Sequence, residues 1–515
     1  MTRSAETMTT IVPPKRRRAG AKDQAPVLAI TLLAHPDPIV VGARALLPEL
    51  GSGKEVQLSR LAPTLVVPGH SSTVLIGDPN VSRKPVVLRA RDDGIEIDAS
   101  GTSTEVQVNG RAVKGSAWLP GRTVEAGLVL ELSRRVAALV HWHQDADQAP
   151  EHDMVGESSA VAALRVEITR VADSQVPVLV LGETGTGKEK VAHALHRASK
   201  RAAGPFVAVN MATLPTSMAA SQLFGHVRGA FSGADRDSQG FFQQASGGTL
   251  FLDEIGETPA DVQPMLLRAL EESTIQPLGA ANPLKVDVRV VAATDLDLEQ
   301  AVSRGEFRAP LVHRLAGYQI ATPPLRDRRD DIGRLLYHFL REEILALGES
   351  NRLLPEDPGA SLWLPTELVR RLVRYDWPGN VRELRNVARR LAILGRNREV
   401  IAFDAGLDKT LGAEPAPEAQ PEPPRSAGEI TDDELATVMA RNQYKTSKTA
   451  RELGISKATL YQLIAQNPSI RTAKELSAEE ISEWRDKTGG NTTEMAAGLK
   501  VSERGLKLRM TDLGL

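Results

Sequence analysis

No cysteine occurs among the 515 residues, which excludes disulfides and thiolate metal centres without fixing a compartment. No apolar run approaches the roughly 20 residues that a membrane-spanning helix needs. Charge of one sign is also missing: 63 Lys and Arg against 65 Asp and Glu leave a net charge of −2. That balance excludes a generally basic nucleic-acid protein, though not a small DNA reader confined to one domain. The first 25 residues carry "KRRR" but no apolar signal-peptide core, so they read as a solvated basic tail on a cytoplasmic protein with no membrane partner.

What is present divides into blocks, as a chain too long for a single core must. Residues 26–145 alternate apolar and polar positions, as in "PVVLRARDDGIEIDAS" and "TEVQVNGRAV", which predicts a β-sandwich. Residues 154–405 alternate apolar strands with helical stretches, the pattern of an α/β domain. Residues 406–430, with "GAEPAPEAQPEPPRSAGE" at their heart, read as a Pro/Glu-rich linker. Beyond them lies an internal repeat, 431–471 and 477–515. One offset of 46 residues carries Thr431 to Ser477, Glu434 to Glu480, Ala450 to Ala496, Leu453 to Leu499 and Leu460 to Leu506. The expected class is multidomain: an N-terminal β-sandwich, a central α/β domain that turns helical from about residue 328, and a duplicated all-α C-terminus.

The strongest chemical signal is "VPVLVLGETGTGKEKVAHALH". A strand runs into Gly182, Glu183, Thr184, Gly185, Thr186, Gly187 and Lys188, and an amphipathic helix follows. Such glycines turn backbone N–H groups toward a phosphate, and the helix N-terminus adds partial positive charge. Lys188 would reach the β- and γ-phosphates of ATP. Glu189 occupies the place of the usual Ser or Thr, so Mg2+ loses a hydroxyl ligand and leans on a second carboxylate. "GGTLFLDEI" supplies one: Asp253 to hold the metal, with Glu254 to polarise the attacking water. A different question attaches to Phe231, an aromatic among glycines and charges in "GHVRGAFSGADRDSQGFF". It is either folded back on its own domain or held out for a partner.

Taken together, these motifs resemble the AAA+ domain of sigma-54-dependent transcriptional activators over residues 154–405. "GAFSGA", Gly229, Ala230, Phe231, Ser232, Gly233 and Ala234, is similar to that family's GAFTGA loop, which implies contact with sigma-54 RNA polymerase and sets Phe231 out for that partner. The resemblance further implies that Asn210 in "VAVN" pairs with Glu254, and that Thr294 and Asp295 form the first sensor. It makes Arg308 and Arg314 fingers for a neighbouring subunit's γ-phosphate, and turns Arg382 in "DWPGNVRELRN" toward the nucleotide. Trans-acting fingers require a homo-oligomeric ring, a hexamer by the same resemblance. Three positions depart from the pattern: Ser232 for threonine, Asp295 for asparagine, and Pro310 where the finger segment has aspartate.

"TSKTARELGISKATLYQLI" resembles a Fis-type helix-turn-helix, which implies contact with double-stranded DNA by Ser456, Lys457, Thr459, Tyr461 and Gln462. The second copy offers Arg504, Lys507 and Arg509; it is either a second reader or a unit that dimerises or props the first. The sandwich resembles, loosely, a forkhead-associated (FHA) domain. That resemblance implies a phosphothreonine-protein or Ser/Thr-kinase partner held by Arg44, Ser82, Arg83 and Asn109, although Ala43 splits the glycine-arginine pair and Pro85 replaces a structural histidine.

Overall fold

The computed structural model describes residues 25–69, 72–91, 94–144, 149–357, 362–396, 398–401, 405–412, 427–455, 457–467 and 470–515. The N-terminal alternation builds two antiparallel sheets. One has eight strands, with β1 (Val27–Ala34), β2 (Leu128–Leu132) and β3 (Val136–His143) at its middle, β3 lying between the other two. The other has four, Val56–Leu58, Val86–Arg91, Gly94–Asp98 and Ser116–Pro120. Ile30, Leu130 and Ala138 of the first sheet meet Leu88, Ile95 and Ile97 of the second in one dry core.

The opposite face of the eight-stranded sheet departs from an ordinary sandwich, where it would be wet and polar. Leu33, Val129, Ala137 and Leu139 point away from the sandwich core and join a second one, shared with Leu335, Leu336, Leu340 and Leu368. The sandwich is therefore welded to the helical lid of the next domain.

That domain holds a five-stranded parallel sheet, β4 (Val178–Leu181), β5 (Phe206–Asn210), β6 (Thr249–Asp253), β7 (Arg289–Thr294) and β8 (Tyr318–Ala321), in the order β5-β6-β7-β4-β8. Runs such as "TLFL" and "VVAAT" lack alternation because both faces of a parallel sheet are covered. Asn210, Asp253 and Thr294 end their strands on one edge, where open α/β sheets bind ligands. Helix α1 (Lys188–Arg197) follows β4. The lid consists of α2 (Ile332–Ala346), α3 (Thr366–Arg374), α4 (Asn380–Leu394) and α5 (Ala405–Leu411). Helix α5 corrects the expected linker: Leu407 is fully buried in the lid core and Asp408 pairs with Arg371 at 2.7 Å, so the first residues assigned to the linker are folded.

The C-terminal repeat forms two helical triplets. The first is α6 (Asp432–Arg441), α7 (Thr446–Leu453) and α8 (Lys457–Gln466); the second is α9 (Ala478–Thr488), α10 (Thr492–Gly498) and α11 (Glu503–Leu513). Thr431 and Ser477 cap α6 and α9 by accepting from Glu434 N and Glu480 N, each at 3.2 Å. The triplets have separate cores, one around Leu435, Leu453 and Leu460, the other around Ile481, Leu499 and Leu506. Gly454 turns in the left-handed region at φ 66°, and Lys500 does so at φ 56° in the second copy. A non-glycine residue there costs about 1–2 kcal/mol, which the packing of the second triplet must offset. Among the described residues, no helix is long and apolar enough to cross a membrane.

Candidate functional site

The phosphate loop has the backbone its glycines promise. Gly182, Gly185 and Gly187 sit at φ 155°, 79° and 101°, conformations that disfavour a β-carbon. Gly182 abuts Thr322 and Gly185 abuts the carbonyl of Gly379, so a side chain at either would displace its neighbour. No side chain caps α1 at Gly187, which leaves its first N–H groups turned to the loop, ready for an anion. Lys188 is 7 % exposed, with Nζ donating to Gly182 O at 2.9 Å. Thr186 donates to Glu183 O at 2.7 Å, whereas Glu189 is exposed and 3.8 Å from His193. A free helix terminus, a lysine and a carboxylate-lined edge fit a nucleotide with its divalent cation.

Across the edge, Asp253 Oδ1 accepts from Glu254 N at 3.1 Å, and Glu254 itself lies at φ 53°. Burial pushes both carboxyls up from their ordinary range. The Lys188 charge opposes this at both, and the neighbouring carboxylates reinforce it at Glu254. Asp295 goes the other way, held down chiefly by the Thr184 hydroxyl, which donates to Oδ2 at 2.5 Å. The Asn210 side-chain oxygen instead accepts from Ala212 N at 3.0 Å, although Asn210 and Asp253 are register partners on adjoining strands. Thr294 is fully buried and its hydroxyl accepts from Leu296 N at 3.1 Å, a structural post behind the sensor position.

The lid closes over this loop. Arg382 is exposed beside Gly185, and its charge acts on Asp253. Two contacts escaped the sequence reading. Arg326 holds both oxygens of Glu183, at 2.8 and 2.5 Å, and Asn380 Nδ2 shares one of them at 3.1 Å. This fork keeps the Glu183 carboxyl at about 2, with the Arg326 hydrogen bonds as the main cause. Only the charged types in "LRDRRDDI" hinted at it. Arg308 and Arg314 are both exposed; the Arg314 guanidinium donates to Leu270 O at 3.0 and 2.7 Å. Pro310 sits inside the first turn of the helix Ala309–Leu315, where proline is tolerated.

The 229–234 loop tops a short hairpin. Gly229 N donates to Ala234 O at 2.8 Å, Ala234 N to Phe231 O at 3.0 Å, and Arg228 N to Asp237 Oδ1 at 2.7 Å. Ser232 and Gly233 are exposed, Ala230 is half-buried and Ala234 is buried. Phe231 is 43 % exposed, with its ring edge-on to His226 at 5.0 Å between centroids. One side of the aromatic rests on its own domain and the other is open.

Tyr461 is 54 % exposed on α8, with Thr459 and Gln462 half-buried beside it; Lys457 begins that helix, and Ser456 lies outside the described residues. In the second copy Lys507 pairs with Glu503 at 2.7 Å and Arg509 donates to Leu476 O at 3.1 Å, while Arg504 is exposed.

The four phosphopeptide residues do not converge. Ser82 and Arg83 line a cavity of about 560 Å³ with Arg60, Lys84, Ser100 and Thr102. Arg60 is engaged there with the carbonyls of Asp78 and Val81, at 3.0 Å each. Arg44 is corrected: it is a seam residue, 12 % exposed and paired with Asp330 of the lid at 2.7 Å. Asn109 is likewise corrected to a turn residue, at φ 49°, whose Oδ1 accepts from Val129 N at 2.9 Å.

The profile described as "Sigma-54 interaction domain" matches residues 154–321, and "AAA+ ATPase lid domain" matches 326–421. The DNA-binding transcriptional regulator NtrC of Escherichia coli (strain K12) is 46 % identical over 275 residues, 53 % of this chain and 56 % of that protein. The chain thus spans little more than half that relative's length. The protein of the same name from Azospirillum brasilense is 40 % identical over 373 residues, 72 % of each chain. The crystal structure of NtrX from Brucella abortus in complex with ADP is 28 % identical, with a TM-score of 0.45, covering 71 % of this chain and 70 % of that one. Phosphate loop, parallel sheet, lid and relatives agree, and the chain belongs to the sigma-54 activator family of AAA+ proteins, of the NtrC kind.

Proposed function

We propose that the chain is a cytoplasmic, DNA-tethered ATPase that activates transcription by remodelling the closed complex of the sigma-54 RNA polymerase holoenzyme. The observation that carries this reading is the half-exposed Phe231 at the tip of "GAFSGA", on the same domain as the phosphate loop. Lys188 leaves the Gly182 carbonyl to meet the phosphates, and the free N–H groups of α1 cradle them. Asp253 would hold Mg2+, which would supply positive charge to offset the negative charge of the phosphate oxygens. Glu254 orients the attacking water, and Asn210 and Asp295 govern when it is free to do so. Arg308 and Arg314 enter a neighbour's site within a hexameric ring, a contribution worth about 10³–10⁵ in rate for such fingers. The first C-terminal triplet reads upstream double-stranded DNA and raises local concentration at the promoter. The sandwich gates the ATPase and offers the Ser82–Arg83 cavity to a phosphothreonine protein.

The test is conversion of a closed sigma-54 polymerase complex to an open one by purified protein with ATP. Opening that requires both hydrolysis and Phe231 supports the reading; hydrolysis without opening sinks it. A second reading draws on Asp295, which accepts from Thr184 and sets a negative charge beside Glu254. In it nucleotide only assembles the ring of a DNA-binding regulator, and intact ATP binding with turnover near zero would select it. Titration with phosphothreonine peptides tests the sandwich: equal affinity for unphosphorylated controls removes the phospho-reader role, and tight binding without DNA binding turns the chain into a phosphopeptide scaffold.

A further inference from the structure

The short segment from Leu325 to Asp331 joins the parallel sheet to the lid, and parts outside it grip both its ends. At the near end Arg326 forks onto Glu183 of the phosphate loop at 2.8 and 2.5 Å. Asn380, fully buried, ties the same carboxylate to the start of the segment, since its Oδ1 accepts from Leu325 N at 2.8 Å. At the far end Asp330 takes Arg44 of the sandwich at 2.7 Å, with the two side chains 10 % and 12 % exposed. Asp331, 1 % exposed, accepts from Glu157 N, Ser158 N and Ser158 Oγ at 2.6, 2.9 and 2.6 Å. Those two residues belong to the stretch linking sandwich to ATPase. Gly156 lies so close that a β-carbon there would fall 2.6 Å from the Asp331 carboxylate.

Arg44 is itself fixed on three further sides, by Thr31 Oγ1 at 3.0 Å, His143 Nδ1 at 3.1 Å and Glu157 O at 2.7 Å. A guanidinium with its directions used up in this way cannot shift without moving Asp330. Only three residues, Asp327, Arg328 and Arg329, therefore stand between the charge pair with the sandwich and the charge pair with the phosphate loop.

We propose that Leu325–Asp331 is a strap through which the docked sandwich sets the shape of the phosphate loop, with Arg44 and Arg326 as the positioning residues at its two ends. The proposal rests on the nucleotide-binding reading for one readout and is independent of it for the other. It gives the gate a physical route: whatever loosens the sandwich on the lid slackens the strap and lets Glu183 and its neighbours move.

The experiment uses the full chain with Arg44→Met, Arg326→Met and both. Binding of ADP is measured by calorimetry, and exchange of the Gly182–Gly187 amides by hydrogen–deuterium exchange. Arg44→Met should weaken ADP binding by roughly fivefold or more, within the usual range of site-to-site coupling, and should speed loop exchange. The double variant should be no worse than Arg326→Met alone, because both cut one strap. Additive losses, or an Arg44 variant with unchanged ADP affinity and unchanged loop exchange, overturn the proposal. If Arg44→Met does not fold, Asp330→Asn replaces it under the same criteria. An unaltered chain that binds no ADP overturns the nucleotide reading instead; amide exchange then decides the strap alone.

Discussion

Glu131 and Arg370 offer a direct test of whether sandwich and lid form one structural unit. The carboxylate lies on β2 and the guanidinium on α3, 2.8 Å apart, with side chains 2 % and 6 % exposed. Replacing Arg370 with methionine leaves a carboxylate in a seam that water does not reach. Breaking a pair buried this deeply costs about 3–5 kcal/mol, while replacing both partners with apolar residues is often neutral. At about 2–4 °C per kcal/mol for a cooperative unit of this size, Arg370→Met should lower the melting midpoint by roughly 6–20 °C. Glu131→Leu should act similarly, whereas the double variant should return to within a few degrees of the unaltered chain. Differential scanning calorimetry reads the midpoints, and limited proteolysis between residues 145 and 153 reads release of the sandwich. Single variants with unchanged midpoints, or a double variant losing the sum of the two, would show that the seam is a loose contact.

Three further outcomes follow from local geometry. Phe231→Ala removes a ring that touches only His226 among the aromatics described; phosphate release should persist while open-complex formation is lost, and a parallel loss of both refutes the division of labour. Asp295→Asn takes a carboxylate away from Thr184 and Glu254 and should raise steady-state ATP turnover; an equal or lower rate refutes the view that Asp295 restrains the site. Burial pushes His141 and His143 of β3 down to about 3 and about 2, so both stay neutral when folded and take up protons near pH 6.5 when unfolded. Their contribution is full above about pH 6.5 and falls below it, by up to about 1.4 kcal/mol per pH unit for each. Urea midpoints should drop between pH 7 and 5, and a flat profile contradicts the assignment.

The phosphate loop and the polar alternation of the thinner sheet were legible because each is a local pattern, complete within about twenty residues. The seam was not read, although its signal is in the sequence. "VLAITLLA" and "LVLEL" break alternation, and a sandwich strand apolar on both faces must be covered twice. Arg44 was assigned to a ligand because Gly42 stands nearby in sequence, whereas its partner Asp330 lies 286 residues away. Glu183 is placed in the phosphate loop by its motif, but its partners Arg326 and Asn380 come from the lid and are just as remote in sequence. Local chemistry shows up as spacing, but long-range charge pairing leaves only residue types that many surfaces would also carry.

The two ends of the molecule offer opposite prospects to anyone who wishes to recombine it. Each C-terminal triplet closes over apolar residues of its own, so one can be deleted, exchanged or doubled as a cassette without baring the remainder. The sandwich has no such frontier: cutting it away strips Leu335, Leu336 and Leu340 of their cover, and a transplanted replacement would have to bring matching apolar positions and the mates of Asp330 and Arg370. Further helical modules can be added to this end of the chain by simple fusion. A replacement for the sandwich must be grown together with the lid it sits on.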